Sequence, residues 1–346
     1  MDFSLDDDQQ LIVETVRKFA ERELRSWAAD ADRAGAPPDR LAQVAGDLGL
    51  FLDAVPAEAG GLLEGSYSHL TRALRGYELG RGCAAIAALL EANVEPALAV
   101  GQWGNAAAKQ ALFGSLAQGG HATLYHDSRG LLTIDGDRVT GKLLAPALAV
   151  ASHVVVASGS SLVLVPLAGA RVEAITPSGW RAARWGTATL EGHKGIVLES
   201  GSVETVLAWA RTSLAARAVG VAVAAMEHAE KYGKERVQFG QPIGTFESLI
   251  RLRDDALTTA AAARLLALHA GWLVDKGDPK AADTASRARV IAGDCVARAT
   301  IDAVQIFGGY GFVNDYPVEK LMRDARAFEA LLGDERLGRV LSQKAV

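Results

Sequence analysis

The sequence has little of the residues that build disulfide frameworks and metal centres. Its two cysteines, Cys83 and Cys295, lie far apart and have no second thiol or histidine at the spacing of a metal-ligand pair. This argues against a disulfide scaffold and against a zinc site, so we expect no metal in the functional site. Reduced thiols are typical of the cytoplasm, where we expect the protein to reside.

The chain also lacks the long apolar and basic segments that mark other classes of protein. No run of about 18 uncharged apolar residues occurs, and the acidic N-terminus has no basic segment followed by an apolar one. We therefore expect neither a membrane span nor a signal peptide. The 36 Lys and Arg against 41 Asp and Glu are scattered and give a net charge of -5, so nucleic acid is not an expected partner.

What is present divides the chain into three parts, since 346 residues exceed the usual size of one core. Up to about residue 120 the spacing is helical, and a first helix places its apolar residues at Leu11, Val16, Phe19, Ala20 and Leu24. From 121 to 203 the pattern changes to short β-rich runs. These runs are Leu131–Ile134, His153–Ala157, Leu162–Val165 and Arg171–Ile175.

Long helical patterns return after residue 203 and continue to residue 346. The clearest has apolar residues at steps of three and four, which predict one buried face. These residues are Leu249, Leu252, Ala256, Ala260, Ala263, Leu266, Ala270 and Leu273. Asp278 followed by Pro279 predicts the N-cap and first residue of the next helix. The fold class is therefore α+β and mostly helical, with a helical region at 1–120, a β region at 121–203 and a helical region at 204–346.

Two loops near the helices have residues that suit ligand binding. In Gln305–Phe312 the glycines Gly308, Gly309 and Gly311 allow a sharp turn and the close approach of a flat ligand, while Gln305 offers a donor and an acceptor. The alternative is a plain helix stop. The cluster is not the dinucleotide fingerprint, because it follows a helix and not a strand.

The second loop runs from Arg236 to Ile243 between two long helices. The planar guanidinium of Arg236 can bind two phosphate oxygens at once, and Phe239 can cover an aromatic ring. The alternative is a polar connection between helices with a solvated arginine.

Together the two loops resemble motifs of the acyl-CoA dehydrogenase family. The stretch from Arg236 is similar to that family's Arg-x-x-Phe-Gly-x-x-Ile-x-x-Phe-Gln pattern, with Glu247 where glutamine is usual, and residues 302–325 are similar to its C-terminal signature. The resemblance implies an N-terminal helical domain, a middle β-barrel or sandwich domain, a C-terminal four-helix bundle and FAD bound between subunits. The residues that it implies for FAD binding are Arg236, Gln238, Phe239, Gln305, Gly308 and Gly309.

The sequence departs from the family at the position of the catalytic base. Most members have a glutamate where this chain has Leu332, and others have it where this chain has Ala210. Neither side chain can take the proton that the family's dehydrogenation removes, so no catalytic residue is retained. Glu329 is the fallback base, and Asp334 and Glu335 lie close to it in sequence.

A second departure lies in the β region. The family's Thr-Glu-Pro strand and Trp-Ile-Thr flavin contact are replaced by residues 124–129 and 141–146, so the chain's own site for the flavin ring is eroded. We interpret His126, within the first of these segments, as a surface or capping histidine.

This combination resembles the smaller, base-less subunit of heteromeric acyl-CoA dehydrogenases, several of which act on CoA thioesters of steroid side chains. It implies an acyl-CoA substrate, a heterotetramer with a catalytic partner subunit, electron-transfer flavoprotein as acceptor and a role in lipid metabolism. Two alternatives stay open: a complete homomeric enzyme that uses Glu329 as its base, and a flavin-free scaffold of the same fold.

Overall fold

The computed structural model describes residues 4–329 and residue 331. Its helical, β, helical order confirms the predicted fold class. The first part contains six α-helices within this described range. They are α1 (Asp7–Phe19), α2 (Arg25–Ala34), α3 (Leu41–Asp47), α4 (His69–Leu90), α5 (Val94–Trp103) and α6 (Ala106–Ala117).

Helix α1 begins at a capping box. The Asp6 side chain accepts from the Gln9 N–H at 2.8 Å, and the Gln9 side chain accepts from the Asp6 N–H at 3.3 Å. Val16 and Phe19 are buried as predicted, but Leu11 is 65% exposed, so its place on the apolar face was wrong. Val13 occupies the inward position instead, because the buried face runs through positions 13, 16 and 19.

The middle part is a sandwich of two four-stranded sheets, which do not close into a barrel within the described residues. The strands are β1 (His121–His126), β2 (Thr133–Asp135), β3 (Arg138–Ala145), β4 (Ala151–Ser158), β5 (Ser161–Pro166), β6 (Arg171–Ala174), β7 (Gly186–Lys194) and β8 (Ile196–Val197). The sheet orders are β1-β4-β5-β8 and β2-β3-β7-β6, and only β1 and β4 pair in parallel in these sheets. Val139 and Leu143 of one sheet share a buried cluster with Val154 and Val163 of the other.

The last part consists of α7 (Val203–Glu235), α8 (Glu247–Asp275), α9 (Ala281–Phe307) and α10 (Pro317–Glu329). The apolar face predicted for α8 is confirmed at Ala256, Ala260, Ala263, Ala270 and Leu273, which are all buried.

Helix α9 begins two residues later than predicted. The Asp278 carboxylate accepts from the N–H of Lys280 at 2.8 Å and its carbonyl accepts from the N–H of Ala281. Asp278 therefore closes the turn that precedes the helix and is not its N-cap.

Glycines let α4 and α7 pack backbone to backbone. A Cβ added at Gly80 would lie 2.3 Å from the carbonyl oxygen of Arg217, and one added at Gly220 would lie 2.2 Å from that of Tyr77. Because no side chain fits in either place, these contacts fix α7 against the N-terminal helices.

By length and composition α7 and α8 meet the requirement for crossing a membrane, as does the bent pair α4 and α5. In the most apolar stretch of α7, 89% of the residues are buried inside the protein, against 33% in α8. The absence of a membrane span therefore stays a prediction.

Candidate functional site

The two loops singled out in the sequence lie side by side and form a groove. A hairpin of β9 (Val237–Gln238) and β10 (Gln241–Pro242) joins α7 to α8, and a 3-10 turn (Gly308–Phe312) follows α9. Between them lies an open groove of about 460 Å³. Its lining residues are Tyr232, Arg236, Gln238, Ile243, Ile306, Phe307, Gly308, Gly309, Tyr310 and Val313.

Local backbone geometry builds both walls of this groove. Gly308 ends α9 with a φ of +58°, a conformation that favours glycine. Gly311 folds the following turn onto α9, because an added Cβ there would lie 2.6 Å from the Val304 carbonyl oxygen. On the other wall, the N–H of Ile243 donates to the carbonyl of Arg236 at 2.8 Å and closes the hairpin.

The structure brings four of the six predicted FAD-binding residues into the groove: Arg236, Gln238, Gly308 and Gly309. Phe239 and Gln305 do not line it. Phe239 is 92% exposed at the tip of the hairpin, and Gln305 is exposed on the last turn of α9. Within the described residues Phe239 has one ring contact, edge-on to Phe246 with ring centres 6.2 Å apart. The roles of Phe239 and Gln305 in binding FAD stay predictions.

Arg236 has free donors in the groove. Its guanidinium lies 5.5 Å from the centre of the Tyr310 ring and is partly exposed. Within residues 4–329 its side chain forms no ion pair and no hydrogen bond, so its five N–H donors remain available to an anion. A guanidinium in this state suits a phosphate or pyrophosphate ligand.

Sequence reasoning missed the aromatic floor of the groove. Tyr232 stacks on Phe307 with ring centres 4.1 Å apart, and Tyr316 contacts the edges of both rings. These residues come from α7, α9 and the loop before α10, so no sequence spacing connects them. The signal that was available is the tyrosine inside the Gly-Gly-Tyr310-Gly turn.

Of the two family base positions, the structure describes only position 210, which carries no proton acceptor. Ala210 is buried on α7 and offers only a methyl group. Leu332, Asp334 and Glu335 lie outside the described residues. Glu329 is the last residue of α10, and its carboxylate is paired with Arg326 while its side chain is 34% exposed.

All six buried carboxylates of the described chain are already bonded. They are Asp32, Glu78, Glu91, Glu95, Asp127 and Asp324. Their donors are arginine, lysine or serine side chains and backbone N–H groups. For Glu91 and Asp127 burial alone would raise the pKa, but these donors lower it, so both are poor proton acceptors.

His126 is not the surface or capping residue that we predicted. It ends β1 half-buried, its Nδ1 is covered and has no hydrogen-bond partner in the described chain, and burial with the nearby Arg211 charge lowers its pKa to about 4. The turn after β1 is closed instead by Asp127, which accepts from the N–H groups of Leu131 and Leu132 at 2.8 and 3.0 Å.

The fold and the groove together define a helical protein with a small β sandwich and a groove that brings together an arginine, aromatic rings and a glycine turn. Residues 6–120 match the description "Acyl-CoA dehydrogenase, N-terminal domain" and residues 201–345 match "Acyl-CoA dehydrogenase, C-terminal domain". The chain belongs to the acyl-CoA dehydrogenase family. The β region at 121–200 lies outside both matched ranges.

Curated relatives match over the whole chain or over a part of it. Cyclohex-1-ene-1-carbonyl-CoA dehydrogenase of Geobacter metallireducens is 29% identical over 381 aligned positions, which cover 99% of this chain and 98% of the relative. Acryloyl-CoA reductase (NADH) of Anaerotignum propionicum is 28% identical and covers 100% and 96%. An acyl-CoA dehydrogenase of Bacillus subtilis is 43% identical over 134 residues, which are 39% of this chain and 35% of that relative.

Solved structures share the fold along the full chain. Butyryl-CoA dehydrogenase from Megasphaera elsdenii has a TM-score of 0.87 at 25% identity, covering 100% of this chain and 99% of the other. A chain from work on the electron transferring flavoprotein of Acidaminococcus fermentans has a TM-score of 0.87 at 27% identity, with the same coverage.

Proposed function

We propose that this chain is the base-less subunit of a heteromeric FAD-dependent acyl-CoA dehydrogenase and shares its FAD with a partner subunit. One observation carries the proposal. The groove is assembled around a free Arg236, whereas Ala210 fills one base position and every buried carboxylate of the described chain is already bonded. The chain thus keeps residues suited to hold a cofactor, whereas the one base position that is described carries alanine.

The groove fits one half of FAD. Arg236 matches the charge and geometry of a pyrophosphate, and the glycine turn at Gly308 and Gly309 with the Tyr232 and Phe307 rings suits a flat adenine. Gln238 adds donor and acceptor atoms at the same wall. When bound, FAD supplies the acceptor for the hydride from the β-carbon of an acyl thioester. This chain's residues hold and orient the nucleotide half.

The rim of the groove supports coverage by a second subunit. Phe239 is 92% exposed and Phe312 is 71% exposed, so a subunit packed on this rim would bury two large aromatic side chains. We therefore propose that a catalytic partner subunit covers this rim and supplies the glutamate and the site for the flavin ring, in a heterotetramer.

The relatives support the substrate class and the electron acceptor. The names of the Geobacter and Megasphaera proteins specify acyl-CoA thioesters, and we extend that class to this complex. The likeness to the Acidaminococcus chain supports electron-transfer flavoprotein as acceptor. A steroid side-chain substrate, a role in lipid metabolism and a cytoplasmic location remain part of the proposal.

The two alternatives receive less support. A homomeric enzyme with Glu329 as base requires that carboxylate to be free, but it is paired with Arg326. A flavin-free scaffold gives no reason for Arg236 to have no acidic partner among residues 4–329 while it lies beside the Gly308–Gly309 turn.

The proposal is tested by purifying the chain alone and co-expressed with its genomic neighbours, and by measuring the ratio of FAD to protein from absorbance. We expect a colourless chain and a yellow complex. Charge-assisted hydrogen bonds are worth roughly 1.5–3 kcal/mol, so Arg236→Ala should weaken FAD retention in the complex by about one to two orders of magnitude.

The matched control is Arg171→Ala, since Arg171 lies in an exposed ion pair with Glu173 on β6, away from the groove. It should leave the FAD content unchanged. A yellow, active chain in the absence of any partner would overturn the proposal, as would an Arg236→Ala complex with the FAD content of the wild type.

A further inference from the structure

We infer that Tyr310 is a positioning residue that orients the Arg236 guanidinium toward the phosphates of the bound nucleotide. The inference rests on the proposed function and deepens it. The guanidinium carbon lies 5.5 Å from the centre of the Tyr310 ring, within the range in which an aromatic ring attracts a cation. Both residues line the groove.

Tyr310 is the aromatic residue whose ring contacts this arginine in the described chain. The Arg236 side chain forms no ion pair or hydrogen bond with any residue in the ranges described, so no carboxylate draws it out of the groove. An arginine side chain has many rotamers, and ordering it upon ligand binding costs affinity. A ring that already holds the guanidinium reduces that cost.

The Tyr310 ring is itself fixed by its neighbours. Its centre lies 5.7 Å from that of Tyr316 and 6.5 Å from that of Tyr232, and Tyr316 in turn contacts Phe307 at 5.3 Å. The half-exposed ring thus contacts α7 through Tyr232 and the loop before α10 through Tyr316. Arg236 directly follows α7, and Tyr310 lies in the 3-10 turn on the opposite wall of the groove. Tyr310 therefore positions Arg236 from across the groove.

The test uses the full chain and ADP, which carries the adenine and the diphosphate. Isothermal titration with ADP compares the wild type with Tyr310→Leu, Tyr310→Phe, Arg236→Gln and the double variant Tyr310→Leu/Arg236→Gln. We expect Tyr310→Leu to weaken binding about two- to fivefold, and Tyr310→Phe, which keeps the ring, to stay within about twofold of the wild type.

The double variant separates positioning from packing. If Tyr310 acts through Arg236, its loss should add nothing once Arg236 is Gln. An equal effect of Tyr310→Leu in both backgrounds would show a purely structural tyrosine and overturn the inference, as would unchanged binding by Tyr310→Leu. Unfolding midpoints check that each variant is folded, and Tyr310→Phe keeps the test valid if the leucine variant is not.

The outcomes also distinguish this inference from the proposed function. Wild-type binding of ADP with no dependence on Tyr310 removes only the inference. A wild-type chain that binds no ADP also removes the inference. The proposed function, in which FAD is retained together with the partner subunit, falls only on the FAD content of the co-expressed complex and its dependence on Arg236.

Discussion

Among single residues, Glu91 shows how burial and partners decide what a carboxylate can do. At the end of α4 it accepts from Arg72 at 2.8 Å, from Arg75 at 2.7 Å and from Ser213 at 2.9 Å. The two guanidinium groups outweigh the cost of burial and hold the pKa of Glu91 far below its usual range. A carboxylate in this state stabilises its own network and does not serve as a general base at neutral pH.

Because His69 is buried close to this network, we expect the folded protein to lose stability in acid. Burial, with the charge of Arg72, lowers its pKa to about 3, whereas an unfolded histidine titrates near 6.5. The unfolded state therefore binds more protons below pH 6.5. The stability that neutral His69 contributes is present above pH 6.5 and is lost as the pH falls toward 3. At pH 5 the loss amounts to about 2 kcal/mol.

We expect His69→Phe to reduce the drop in the urea midpoint between pH 7.5 and pH 5.0. Phenylalanine keeps a ring where His69 stacks on Trp209 at 5.4 Å. Part of the drop should persist, because the pKa values of His126 and His228 are also lowered to about 4. The exposed His269, changed to Phe, is the control and should behave as the wild type. Identical pH dependence in His69→Phe and the wild type would contradict this prediction.

At the scale of elements, periodic helices could be predicted from the sequence and several strands could not. The stripe in α8 follows from its spacing, because an isolated apolar face must be buried. Strands β1 and β3 lie in the segments where the expected family motifs were replaced, and β7 carries polar residues at the positions that face outward. Their pairing is long-range, so no local pattern fixes it.

The groove shows the same division. The Gly308–Gly309 turn and Arg236 could be found from residue type, because conformational freedom and charge belong to single residues. The contact between Arg236 and Tyr310 could not, since it depends on how α7 and α9 pack. The exposure of Phe239 likewise follows from the hairpin, in which its φ is +51°.

The packing of α4 on α7 predicts opposite effects for two glycine substitutions. Gly80→Ala places a methyl group 2.3 Å from the Arg217 carbonyl oxygen, so the helices must separate, and we expect a loss of about 1–3 kcal/mol. Gly114→Ala lies in α6 with no atom within 4 Å of the new methyl group. It should stabilise by about 0.5–1 kcal/mol through helix propensity.

Urea unfolding of both glycine variants gives the measurement. If both variants shifted the urea midpoint in the same direction, the close contact between α4 and α7 would not be what excludes a larger residue at position 80.

At the scale of the whole molecule, the match to the family covers the helical parts of the chain and leaves out the β region. The two matched ranges, 6–120 and 201–345, contain the N-terminal helices and the groove, whereas the β region falls outside them. The alignment with the Geobacter relative spans 381 positions, but this chain has only 346 residues, so the alignment contains gaps on the side of this chain. The helical parts therefore match the family, whereas the β region, in which the expected motifs for the flavin ring are replaced, lies outside the matched ranges.

The missing base predicts that the chain alone, even when loaded with FAD, dehydrogenates no acyl-CoA above background. Ala210 cannot accept a proton, Leu332 by its residue type cannot either, and the buried carboxylates of the described range are bonded. Loss of a general base typically lowers a rate by about 10²–10⁴-fold. Dye reduction with acyl-CoA thioesters of several chain lengths measures the activity, and the co-expressed complex is the positive control. Robust dye reduction by the isolated chain would contradict the prediction. In that event Glu329→Gln should abolish it if Glu329 is the relocated base, and Asp334→Asn is the next variant to compare.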